Sequence, residues 1–200
     1  MHLQTFIAFD VETTGIERDS NQIIEVAGVK FTIEINSRKK AIPVTIDTFS
    51  ELVKPTMRIP EDATAVNHIT NEMVENARPI TEVLPEFFKF CGLASVLVAH
   101  NAPFDLSFLK ASAALHGYLW PNFRVIDTVK AARFVLTKDD VANYQLGTLA
   151  IYFRTEISPN HRALDDALAT VDVLHGIIER MGTFGITTIN QMLNAGAKKV

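Results

Sequence analysis

The 200-residue chain is 48% hydrophobic, which suits one compact domain, because a chain of this size buries roughly 70% of its surface on folding. A formal charge of -4 and a pI near 5.9 exclude a broad basic face that grips duplex DNA by its phosphates, so any nucleic-acid contact is expected to be short and local. The lone cysteine, Cys91, makes no internal disulfide, the N-terminal residues have no signal-peptide pattern, and no stretch approaches the roughly 20 apolar residues of a membrane span. A reducing, soluble, cytoplasmic setting is the expectation.

In chain order, "TFIAFDVE" (5–12) and "QIIEVAGVKFTIE" (22–34) read as strands joined by a polar turn, and "VTIDTFSELV" (44–53) alternates as a third. Three strands with short links imply an antiparallel meander. "ITEVLPEFFKFCG" (80–92) reads as a helix with Thr81 as N-cap and Gly92 as stop. The short apolar run 94–100 leads into "FDLSFLKASAALHG" (104–117), a glycine-closed helix, and "FRVIDT" (123–128) repeats the strand-to-helix step with Asp127 as the next N-cap. The last long helix (163–182) carries an apolar stripe of Ala163, Ala167, Val171, Leu174, Ile178 and Met181. The sum is an α/β fold, a five-stranded mixed sheet of meander plus parallel strands flanked by helices. Residues 1–182 form the expected domain and 183–200 a helical extension with a loose terminus. Phe87, Phe88 and Phe90 read as core or helix surface, and "SRKK" (37–40) as a charged hairpin end.

Three clusters of acids stand out. In "FDVETTG" (9–15) Asp10 and Glu12 point to one side of a strand end, where they repel unless something positive or wet lies between them. An acid-x-acid pair alone is a weak signal, since chance supplies roughly 2.6 of them at this composition. Asp105 follows the strand 94–100 at a helix entry, where it reads equally as a first-turn acid favoured by the helix dipole. In "HRALDDALATVDVL" His161 precedes a helix whose first turn holds Asp165 and Asp166. Asp165, Asp172 and Glu179 recur on a solvated stripe, whereas Asp166 shares its side with Thr170 and Val173, which makes Asp166 the inward candidate. Open mixed sheets place sites at the carboxyl ends of their strands, so the clusters can converge. Carboxylates brought together repel by roughly 4 kcal/mol per close pair at an effective dielectric near 20, and bound cations make such a cluster tolerable. All-oxygen ligands select hard ions such as Mg²⁺ or Mn²⁺, and two of them suit an in-line phosphoryl displacement.

"FDVETTG", "HNAPFD" and "HRALDD" resemble, in order and spacing, the three motifs of the DnaQ-like (DEDDh) 3'-to-5' exonucleases, and "VNHITNEMVENARP" is similar to a segment between the first two. The resemblance spans about residues 5–180 and looks closest to the proofreading exonucleases of bacterial DNA polymerase III. It implies an RNase H-like fold and release of nucleoside monophosphates from a 3' end. It also implies Asp10 bridging two cations, Glu12 and Asp166 holding the one that binds the attacking water, and Asp105 supporting the other. His161 would be the general base. Backbone at Thr13 and Thr14, His68 stacking on the terminal base, and Asn101 and Phe104 shaping the pocket complete the implied site. The implied partners are a single-stranded DNA 3' end, a polymerase III catalytic subunit and a second copy of the chain. An RNA-trimming enzyme of the same family is the alternative. Two other classes stay open on the residues: an aspartate-nucleophile phosphatase, which wants Asp where Glu12 stands, and a non-catalytic polymerase-binding module, which has no use for a repulsive acid cluster.

Overall fold

A computed structural model of the chain describes residues 4–35, 41–93 and 95–195. The hairpin end at 37–40 and the terminus from residue 196 lie outside them. The apolar run from Thr5 becomes β1 (Thr5–Thr13), the inner strand on which everything else is arranged. β2 (Ile23–Ile35) pairs antiparallel with β1, and β3 (Ala41–Lys54) antiparallel with β2, giving the expected meander. Helices α1 (Glu61–Asn67) and α2 (Asn71–Val74) follow. A two-residue strand β4 (Arg78–Pro79) then pairs with β3, so the sheet has six strands rather than five. Helix α3 (Ile80–Cys91), β5 (Val96–Ala99), α4 (Pro103–Leu115), β6 (Arg124–Asp127) and α5 (Thr128–Val135) give two parallel additions to the sheet, in the order β4-β3-β2-β1-β5-β6. Helices α6 (Leu146–Phe153), α7 (Ala163–Thr183) and α8 (Ile189–Ala195) complete the chain.

β1 separates the two core layers by simple alternation. Ile7, Phe9 and Val11 face a cluster with Phe87 of α3 and Phe108 and Leu109 of α4, while Phe6 and Ala8 face one with Val171 and Leu174 of α7. Gly28, opposite Phe9 in the ladder, is where the sheet admits the aromatic layer: a Cβ there would stand 2.9 Å from the Phe90 ring. Helix α7 buries two faces, one on the sheet and one, through Ala169, Val173, Ile177 and Met181, on α5 and α6. Gly176 gives α6 its seat, since a Cβ would lie 2.2 Å from the Phe153 ring. Helix α8 rests on α5 and β6.

Local chemistry accounts for the element ends. Asp127 caps α5, accepting from Val129 N at 3.0 Å, as expected. Thr81 does not cap α3: Pro79 holds that position, because the short pairing of β4 passes directly into the helix, whose first donors are left without a side-chain cap. Thr81 has another task. Pro85 inside α3 has no N–H for the carbonyl of Thr81, and that carbonyl accepts the Tyr118 hydroxyl at 2.9 Å instead. Cys91 is buried, which pushes its thiol up to about 12. Among the described residues no helix is long and apolar enough to cross a membrane.

Candidate active site

The site forms where β1 outruns its parallel neighbour. β5 pairs only with Phe6–Ala8, so the strand beyond Ala8 lacks a ladder partner on that side. Asp105, two residues into α4, fills the gap by accepting the Val11 N–H at 3.1 Å. Asp10 and Glu12 continue the face that carries Phe6 and Ala8, the face covered by α7, and Asp166 in the first turn of α7 meets them there. One carboxylate oxygen from each of Asp10, Glu12 and Asp166 lies within 4.8 Å of the other two.

Burial sets the electrostatics of this cluster. Desolvation, then the charges of Asp105, Glu12 and Asp166, raises Asp10 well above the usual carboxylate range. Desolvation, then Asp166, pushes Glu12 to about 8. Desolvation also raises Asp105, against the stabilising Val11 hydrogen bond, and raises Asp166, against its bond from Asn160 N at 2.9 Å. Acids that resist ionisation because they crowd one another out of water are those a divalent cation would hold ionised. The donor set, all oxygen and charged, fits a hard cation.

The cluster opens into a cleft of about 840 Å³ lined by Asp10, Asn101, Phe104, His161 and Asp166, with Arg133 and Tyr144 among the other residues of its wall. His161 is exposed, in the turn before α7, and has φ 60°. Four non-glycine residues among those described have positive φ, and three of them, His68, Asn101 and His161, are residues the sequence nominates for the site. Sparsely populated backbone of this kind gathers where the surroundings over-determine a functional turn.

Thr13, Thr14 and His68 do not line this cleft. They form a second group around the end of β1. Thr13 Oγ1 donates to Gly15 O at 2.6 Å and Gln22 N donates to Thr14 Oγ1 at 3.0 Å, so both hydroxyls shape the turn. His68 caps α1 in a left-handed conformation with its side chain exposed. The buried neighbour Asn67 joins the two: its Nδ2 donates to Thr13 O at 3.2 Å and its Oδ1 accepts from Ile69 N at 3.0 Å. Asn67, Glu25, His100, Asn160 and Arg162 are site-forming residues the sequence reading passed over. Glu25 was the most legible, a lone acid inside the apolar run "QIIEVAGV". His100 Nδ1 lies 2.9 Å from Thr128 Oγ1, tying the end of β5 to α5, and burial holds the imidazole below its ordinary pKa despite Asp127 nearby.

The RNase_T family, described as Exonuclease, matches residues 7–174. A bifunctional exonuclease/endonuclease protein of Mycobacterium tuberculosis is 42% identical over 94% of the chain, and a DNA polymerase III of the PolC type from Caldanaerobacter subterraneus 37% identical over 94%. The chain spans only 28% and 12% of their lengths. A DNA polymerase III subunit epsilon of Treponema pallidum is 36% identical, the match covering 86% of this chain and 76% of that protein. Among solved structures, Exonuclease X in complex with 5' overhanging duplex DNA superposes with a TM-score of 0.67 and 26% identity over 96% of this chain and 99% of that one. Escherichia coli Exonuclease I with a dT13 oligonucleotide matches with a TM-score of 0.72 at 16% identity, over 91% of this chain and 42% of that one, a likeness of fold. The acids that begin as a weak pair in a short motif thus stand in an RNase H-like sheet, and the chain belongs to the DnaQ-like exonuclease family.

Proposed function

We propose that the chain removes nucleoside monophosphates one at a time from the 3' end of single-stranded DNA, as the proofreading exonuclease of a polymerase III type system. The observation that carries this reading is the convergence of Asp10, Glu12 and Asp166 to within 4.8 Å of one another, beside a cleft that Asp10, Asp166 and His161 line. Asp10, Glu12 and Asp166, with Asp105 behind them, would hold two Mg²⁺ or Mn²⁺ ions, which when bound neutralise phosphate charge and acidify water. His161 takes the proton from the attacking water, and its exposed position lets the ring swing to substrate. The Thr13–Thr14 backbone and His68 receive the terminal nucleotide, and Asn101 and Phe104 shape the floor beside it. Phe104 is held by Phe108, their rings 5.2 Å apart, so its position is fixed before substrate arrives.

A cleft that takes a few terminal nucleotides through metal and stacking contacts agrees with the net charge of -4. The names of the relatives support DNA over RNA and, as further partners, a polymerase III catalytic subunit. Residues 1–182 serve as the catalytic unit, with 183–200 as an extension that includes α8. A homodimer and a cytoplasmic setting complete the proposal, the former checked by light scattering. The deciding experiment compares 5'-labelled single-stranded DNA and RNA with Mg²⁺ or Mn²⁺, beside an EDTA control and His161→Ala. Metal-dependent shortening from the 3' end of DNA, largely lost in the variant, is expected. Faster shortening of RNA would reassign the substrate, and no shortening of either polymer would reassign the chain as a binding module.

A further inference from the structure

One buried charge beside the cluster has no place in cation binding or proton transfer as described above. Glu25 stands directly opposite Glu12 in the β1–β2 ladder, and its side chain is 3% exposed. Like charges opposed on one sheet face repel. Glu25 turns instead to the chain entering α7: it accepts from Arg162 Nη2 at 2.7 Å, from Arg162 Nε at 3.2 Å and from Ala163 N at 2.9 Å. The two guanidinium bonds use the planar fork that only arginine offers a carboxylate. The third gives the first turn of α7, which has no side-chain cap of its own, an acceptor from another strand.

On the other side of His161 the chain is fixed as firmly. Asn160 N donates to Asp166 Oδ1 at 2.9 Å, Asn160 Nδ2 to Asp165 Oδ2 at 2.7 Å, and Asn160 Oδ1 accepts from Arg162 N at 3.1 Å. His161 lies between these anchors, exposed and left-handed. A left-handed histidine is costly unless its neighbours impose it. Here the neighbours on both sides are bonded to rigid elements, one to α7 and the other across to β2.

We propose that the Glu25–Arg162 ion pair is the clamp that holds His161 at the mouth of the cleft, with Arg162 a positioning residue for that histidine. The proposal rests on the reading of His161 as the proton acceptor. Strand β2 thereby reaches the reaction without touching substrate: it fixes the turn whose one free side chain faces the cleft.

The test uses the whole chain on 5'-labelled single-stranded DNA with Mg²⁺. Four proteins are compared: wild type, Glu25→Gln/Arg162→Met, His161→Ala and the triple variant. Removing both partners leaves neither charge bare. The paired variant is expected to lower kcat by roughly ten- to hundred-fold, the range found for lost supporting contacts, with KM and the Mg²⁺ half-saturation within about twofold of wild type. In the His161→Ala background the same two substitutions are expected to change kcat by less than about twofold, because no histidine remains to be positioned. An effect that multiplies in full onto His161→Ala, or a shifted Mg²⁺ half-saturation, would overturn the proposal in favour of a structural cap for α7. A His161→Ala protein with wild-type kcat overturns the reading beneath it, which the single variant reports separately. Should the paired variant not melt cooperatively, Glu25→Gln alone, which keeps an acceptor for Ala163, carries the same comparison.

Discussion

Phe6–Phe9 and Asp10–Glu12 are successive halves of one strand, with one antiparallel partner and one helix above them, yet their energetics are opposite. The first half buries Phe6, Ile7 and Phe9 almost completely, each worth roughly 1.5–3 kcal/mol of transfer free energy. The second half sets two carboxylates on the same helix-covered face and drives them toward their protonated forms. The alternation is identical in both halves. What differs is the partner met beside β1 and beneath α7: Val96–Val98 of β5 with Val171 and Leu174 of α7 at the first half, Asp105 of α4 and Asp166 of α7 at the second. The strand thus stabilises the domain at one end and stores repulsion at the other, where a bound divalent cation would supply the counter-charge.

The largest effect is expected from Asp10→Asn. Loss of one charge from the proposed cation site is expected to lower kcat about a thousand-fold or more, while the metal-free protein is expected to melt at a higher temperature because a repulsive charge has gone. Single-turnover kinetics and a thermal melt in EDTA check both halves of that statement. A lower melting temperature would show that the cluster is not repulsive.

Phe9→Ala breaks the opposite half. It is expected to cost about 3–5 kcal/mol in urea unfolding, since Phe9 is fully buried against Phe87, with ring centroids 6.1 Å apart. The variant that survives folding keeps its metal dependence.

A pH series sharpens the contrast without mutation. Glu12 is raised from 4.5 to about 8, and Asp10, Asp105 and Asp166 are raised as well. A group raised on folding contributes stability below its unfolded pKa and loses it as pH climbs through the folded value. The metal-free protein is therefore expected to lose melting temperature between about pH 4.5 and 8, and Mg²⁺ to restore more of it at pH 8 than at pH 5. A flat profile in EDTA would count against a cluster buried without its ions.

The smallest effect is expected from Asn67→Ala, which strips a partner from Thr13 O and Ile69 N and costs about 1–3 kcal/mol. Its signature in the assay is a raised KM for the oligonucleotide with kcat nearly kept. Equal losses in both would move the Thr13–His68 group from substrate binding to catalysis.

Much of this was legible because period-2 and period-3.6 patterns are local. The alternation of β1 put Asp10 and Glu12 on one side, and the helical phase of α7 chose Asp166, which is 8% exposed, over the half-buried Asp165. Thr81 misled because a cap depends on where the preceding chain is held, and β4 holds it at Pro79 through a pairing with β3. Arg162 was visible in "HRALDD" but carried no sign of its partner, since Glu25 lies 137 residues away.

By itself the sequence determined five of the six strands and the helices that pack on them, the side on which Asp10, Glu12 and Asp166 point and, through three ordered motifs, the family. Only the tertiary structure decided which acids share a charge environment and which turn is clamped. Carboxylate proximity, burial and the Glu25–Arg162 pair arise where separate elements meet, and those contacts depend on sheet order and helix packing that no local pattern encodes.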